Sequence, residues 1–150
     1  MSEDRGPSLS PSAVRASQEV RGVIGPLRRR IGAAGGSEDI SLTQASVLAR
    51  LTGGDGLTAS DLAAAEGMRH QSMTTAVTAL AALGLVERRR DPADGRRLLI
   101  ALTAEGRRRA AEGRQARGEW LAGELQRQCT EEERQAVIAA MTVLGRLIRD

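Results

Sequence analysis

The sequence predicts a mainly α-helical chain with one small β-hairpin. Two observations carry this. Six segments read as helices, from apolar residues at helical spacing or from a capping start and a glycine stop. Two short extended runs, Leu85–Arg90 and Arg97–Leu102, flank a loop with an Asp-Gly turn signal. At 150 residues the chain has the size of one ordinary domain and can bury a core of its own.

The elements follow in order. Residues 1–9 are polar and rich in Ser, Gly and Pro, and read as a disordered arm. Ser10-Pro11 reads as an N-cap followed by proline in the first turn. Val20, Ile24, Leu27 and Ile31 then form a helical stripe, with a kink expected at Pro26 and an end over Gly32 to Gly36. Thr43 is expected to start a short helix bearing Val47, Leu48 and Leu51, broken at Gly53–Gly56. Thr58, with Asp61 three residues on, starts another that Gly67 caps. After a very short turn, residues 70–83 carry Met73, Ala76, Val77, Leu80 and Leu83 on one face. Beyond the hairpin, Thr103 opens an Arg/Glu-rich helix to about residue 127. Thr130 with Glu133 is a capping box for a last helix, whose stripe is Val137, Met141, Leu144 and Ile148.

Composition excludes several classes. Trp120 is the sole aromatic residue, which argues against a protein that stacks unpaired bases. Cys129 and His70 each stand alone, so no Cys/His metal cluster, intrachain disulfide or cofactor is expected. No apolar run is long enough for a membrane span, and the first residues lack the apolar core of a signal peptide, so a cytoplasmic location is expected. With one His, one Cys and neither Lys nor Tyr, general bases and nucleophiles are few, and no enzyme is expected.

The net charge of +3 has an address. Every one of the 22 basic residues is arginine, so the isoelectric point of about 10.7 reflects missing Lys and Tyr rather than a basic shell. Between residues 67 and 103 stand Arg69, Arg88, Arg89, Arg90, Arg96 and Arg97 against Glu87, Asp91 and Asp94, so this segment carries the whole surplus.

Residues 43–102 thus read helix, helix, tight turn, helix, hairpin, which is the winged helix-turn-helix plan. Such a unit needs its third helix to keep one face in the core and offer the other to a DNA major groove. Opposite Met73, Val77 and Leu80 lie Gln71, Thr75, Thr78 and Ala82, flanked by Ser72 and Thr74. These side chains are short, uncharged and able to hydrogen-bond to base edges or phosphates. Arg69 and His70 stand at the helix start, where the dipole favours phosphate. A loop presenting Arg96 and Arg97 suits a narrow minor groove.

At this point the chain resembles a known family. Gly84-Leu85-Val86-Glu87-Arg88, followed by Asp94-Gly95-Arg96-Arg97 and ending on Leu102-Thr103, is similar to the Asp-x-Arg…Leu-Thr wing of the MarR family of bacterial transcriptional regulators. Gln71-Ser72-Met73-Thr74-Thr75 resembles the start of that family's recognition helix, and Leu42–Leu48 its second helix. The resemblance covers roughly residues 12–149, with the wing as its specific piece. It implies that Asp94 anchors the wing by pairing with an Arg, that Arg96 reaches the minor groove, and that effectors bind between the DNA-binding and dimerisation parts. His70 stands where the family often has proline. Cys129 lies in the wrong helix for the family's peroxide sensing, and one histidine cannot supply its zinc-sensing ligands.

The expected organisation is a dimerisation helix over 10–36, a winged helix-turn-helix DNA-binding unit over 42–103 and dimerisation helices over 104–150. Both terminal stripes are too apolar to leave in water, so a homodimer is expected. Expected DNA contacts are Arg69, Gln71, Ser72, Thr74, Thr75, Thr78, Arg88, Arg90, Asp94, Arg96 and Arg97. Expected partners are a pseudo-palindromic duplex operator, a second copy and a small apolar effector, with no membrane; the regulator is expected to be a repressor. The competing reading is a winged-helix dimer that serves as a protein-binding adaptor without sequence-specific DNA binding.

Overall fold

In the computed structural model, which describes residues 8–36 and 39–149, six α-helices and one antiparallel hairpin follow the expected order. They are α1 (Pro11–Ala34), α2 (Leu42–Leu51), α3 (Ala59–Glu66), α4 (His70–Ala82), β1 (Val86–Arg90), β2 (Leu98–Leu102), α5 (Ala104–Gln128) and α6 (Glu131–Leu144). A 3-10 turn, Gly145–Ile148, follows α6. The arm expected over residues 1–9 lies outside the described residues, except for Ser8 and Leu9.

Side-chain caps set most of the helix starts. Ser10, Ser41, Thr58, Thr103 and Thr130 each accept from a backbone N–H in the first turn. Ser41–Gln44, Thr58–Asp61 and Thr130–Glu133 are full capping boxes. A cap of this kind typically stabilises a helix by about 1 kcal/mol. The Ser41 box starts α2 at Leu42, one residue earlier than Thr43 suggests. Helix α1 is continuous through Pro26.

The core sits in the middle of the chain. Val47, Leu48 and Leu51 of α2, Leu62 of α3, and Met73, Val77 and Leu80 of α4 pack with Leu85, Val86, Ile100 and Leu102 of the hairpin region. Ala110 closes the core from α5. Every fully buried side chain among the described residues is apolar. The hairpin pairs Val86 with Leu102 and Arg90 with Leu98. A third extended piece joins it: Leu57 exchanges both backbone hydrogen bonds with Ile100, at 3.0 and 2.7 Å.

Two close approaches fix this unit. Gly67, at φ 63°, takes the left-handed conformation that ends α3 and lets the chain reach α4 within three residues. Gly106, in the first turn of α5, lies so close to the Leu85 carbonyl that an added Cβ would overlap it. Thr103 completes this joint, its hydroxyl donating to the Gly84 carbonyl at 2.7 Å and its backbone N–H to Leu85 at 3.1 Å. The base of the hairpin is therefore fixed to α5.

The outer helices differ. Neither α1 nor α6 contains a buried residue. Ile24, Ile138 and Met141 are each more than half exposed. The expected last stripe is interrupted: α6 ends at Leu144, and Ile148 falls in the 3-10 turn, 86% exposed.

Candidate nucleic-acid interface

One exposed surface gathers the residues that sequence reasoning singled out. Helix α4 turns Met73, Val77 and Leu80 into the core and leaves Gln71, Ser72, Thr74, Thr75 and Thr78 exposed. The hydroxyls of Thr74 and Thr75 donate back to the carbonyls of His70 (3.0 Å) and Gln71 (3.1 Å), which orients their methyl groups. Gln71 and Ser72 have no side-chain hydrogen-bond partner among the described residues. Arg69 occupies the N-cap position of α4 without capping it, so the first-turn N–H groups stay open to a ligand.

The hairpin stands beside this helix and is tied to it. Arg88 donates to the Thr78 hydroxyl at 3.1 Å, joining β1 to the middle of α4. Arg90 donates to the Gly95 carbonyl at 2.8 Å and closes the loop from within. Arg89 donates to the Asp55 carbonyl on the far side of the unit.

The two loop arginines, which sequence reasoning treats as a pair, have different surroundings. The Arg96 guanidinium has no partner among the described residues. Arg97 turns back instead, 3.5 Å from Asp91 and 3.5 Å from Asp61 in the first turn of α3. Asp61 is already the reciprocal partner of Thr58 in the capping box of α3. Its hydrogen bonds from the Thr58 hydroxyl and backbone, aided by Arg97, hold its carboxyl below the usual range. Asp94, expected to pair with an arginine, accepts from the Arg96 backbone N–H at 3.1 Å and forms no ion pair among the described residues. Asp91 and Asp61 fill that anchoring position.

Between α3, α4 and the hairpin lies a hollow of about 320 Å³, lined in part by Ser60, His70, Thr74 and Arg88. His70 Nδ1 is 3.3 Å from the Ser60 hydroxyl. Members of the other arginine clusters have partners within the chain, near and far in sequence. Arg108 pairs with Glu105 and Glu112, Arg107 donates to the Leu102 carbonyl, and Arg109 meets Asp39 at 2.9 Å. Arg30 lies over the Trp120 ring at 5.5 Å and links α1 to α5.

Sequence reasoning missed the Leu57–Ile100 bridge and the retreat of Arg97 to Asp61. A single bridge residue has no periodicity to detect. The capping signal at Thr58–Asp61 marked Asp61, but nothing in the spacing shows that the same carboxylate faces a residue 36 positions away.

Comparison with known proteins points the same way. Residues 38–97 match the family model described as MarR family. Over 114 residues the chain is 33% identical to an uncharacterised HTH-type transcriptional regulator of Mycobacterium bovis, covering 76% of this chain and 80% of that protein. The fold superposes on a Pseudomonas aeruginosa protein described as a transcriptional regulator, with a TM-score of 0.78 at 28% identity, over 93% of this chain and 96% of the other. A variant of the Staphylococcus aureus regulator MepR, solved bound to an oligodeoxyribonucleotide, has a similar fold, with a TM-score of 0.60 at 24% identity over 89% of this chain and 98% of the other.

Proposed function

Because the chain belongs to the MarR family of transcriptional regulators, we propose that it acts as a homodimeric repressor whose hold on a pseudo-palindromic operator is relieved by a small apolar effector. The observation that carries the DNA-binding part is the exposed, acid-free face of α4 standing beside a hairpin that holds most of the chain's charge surplus. In this reading Gln71, Ser72, Thr75 and Thr78 meet base edges in the major groove, with Thr74 and Arg69 at the phosphates flanking them. Arg96 enters the minor groove, and Arg88 and Arg90 approach the backbone. Arg97 and Asp94 set the angle and shape of the wing; a minor-groove contact by Arg97 requires it to leave Asp91 and Asp61.

Residues 42–103 form the reading unit, and residues 10–36 and 104–150 pair two copies. The exposed apolar faces of α1 and α6 support that division. A groove of about 690 Å³ between α1 and α2, lined by Ile24, Leu27, Ile31, Leu42 and Ala45 and bordered by Arg28, suits an aliphatic effector. Work on chromosomal DNA implies a cytoplasmic protein.

Footprinting on the DNA upstream of its own gene, with and without apolar ligands, tests the proposal. It predicts two protected half-sites about 10 bp apart, centre to centre. Absent protection, or binding insensitive to salt, contradicts it and favours the adaptor.

A further inference from the structure

Three helices converge on one carboxylate behind the reading surface. Glu66 is the last residue of α3, and only 6% of its side chain is exposed. It accepts from the Ser46 hydroxyl at 2.8 Å and from Arg50 Nε, both on α2. Its other oxygen faces Arg28 of α1 at 3.5 Å. Arg50 also donates to the Ala65 carbonyl at 2.9 Å, closing over the end of α3 where the helix dipole is negative. Burial pushes the Glu66 carboxyl up, but the hydrogen bonds from Arg50 and Ser46 and the charges of Arg50 and Arg28 outweigh it and hold the group below its ordinary range. A charge so enclosed keeps its place only while its partners do.

The position of this node gives it reach. Gly67 and Met68 follow in a tight turn, with the Met68 N–H on the Ala63 carbonyl at 2.9 Å, and α4 begins at His70. The angle at which α3 ends therefore sets where Arg69 and Gln71 stand. The two arginines on Glu66 are unequal. Arg50 is held at two points, whereas Arg28, 71% exposed, reaches across the border of the groove that it and Ser46 both line.

We infer that Glu66 is a positioning residue for the reading helix, and that the Arg28–Glu66 pair is the link through which the placement of α1 reaches α3 and α4. The inference rests on the DNA-binding reading above. Arg50 and Ser46 are its permanent half; Arg28 is the half that a shift of α1 makes or breaks.

The test is titration of the duplex upstream of the gene with the full chain and with Arg28→Gln, Arg28→Lys, Glu66→Gln and the Arg28→Gln/Glu66→Gln double variant. Arg28→Gln is expected to lower affinity about 3- to 10-fold. Its salt slope should be unchanged and its melting temperature within about 2 °C of wild type, since Glu66 keeps Arg50 and Ser46 and the Arg28 end of the pair is exposed. Arg28→Lys should recover most of the loss, and Arg28→Gln should cost nothing further once Glu66 is Gln. A slope lowered by about one unit makes Arg28 a phosphate contact and overturns the inference. So does a loss of the same size in both Glu66 backgrounds, or a Lys variant no better than Gln. The lysine comparison decides even if Glu66→Gln folds poorly. Wild-type protein that binds no duplex overturns the DNA-binding reading itself; a wild type that binds, with variants indistinguishable from it, overturns only the link.

Discussion

The reading unit and the outer helices spend their apolar residues in opposite ways. From α2 through the first turns of α5, Leu62, Met73 and Leu80 are fully enclosed within one chain. In α1 and α6 no residue is buried, although Val23, Ile24, Ile138, Met141 and Val143 are spread along them. A chain this short gains by burying apolar surface wherever it can. The apolar faces left open on these two helices are the surface that the proposed homodimer covers. In the proposed reading, the region with a core complete in one chain meets DNA, and the other sets how two such regions are spaced.

The sharpest break in this comparison is a charge placed on the outer surface. Met141→Arg should dissociate the dimer and lower operator affinity by about a hundredfold or more, because the second half-site then binds as a separate event. Circular dichroism should show the reading unit still folded. A Met141→Arg protein that remains dimeric removes α6 from the interface.

Truncation inside the two regions should give different losses of stability. Leu80→Ala should cost about 2–5 kcal/mol in urea unfolding, the usual range for a leucine emptied from a packed core. In the Met141→Arg background, where no partner covers it, Ile148→Ala, at a position 86% exposed, should stay within about 0.5 kcal/mol. Equal losses at the two positions would contradict the division between an enclosed core and an open outer surface.

The reading surface can be divided more finely through Arg96 and Arg97. Arg96→Ala should weaken binding and lower the salt slope by about one unit. Arg97→Ala should loosen the wing and weaken binding with a smaller change in slope, because its charge is already paired. Identical slopes for the two variants would restore them to a single role.

The smallest expected effect is acidic. Glu66 is held below its ordinary value in the folded chain, so its contribution is fully present at neutral pH. That contribution fades as pH falls through and below the ordinary glutamate range, where the unfolded chain takes up the proton first. Glu66→Gln should therefore lower stability at pH 7 and flatten its decline in acid. A variant whose acid decline matches wild type would deny Glu66 that share.

Much of this was legible in the sequence because it is local. Capping residues, the Asp-Gly turn and the alternation of core and polar positions on α4 act within a few residues, and each placed its element to within about two positions. Long-range pairings were not legible. The Leu57 bridge, the Arg97–Asp61 contact and the junction at Glu66 join residues far apart in the chain, and none alters a periodic pattern. Asp94 shows the same limit: the motif marks the loop correctly, but which carboxylate anchors the wing depends on where α3 begins.

The account's central claim, that one region reads DNA while the other pairs two copies, is tested most directly by the number of chains on one operator duplex. Analytical ultracentrifugation of the protein with its footprinted site should give two chains per duplex, and the protein alone should sediment at twice the monomer mass. A single chain bound per duplex by a monomeric protein would contradict the claim.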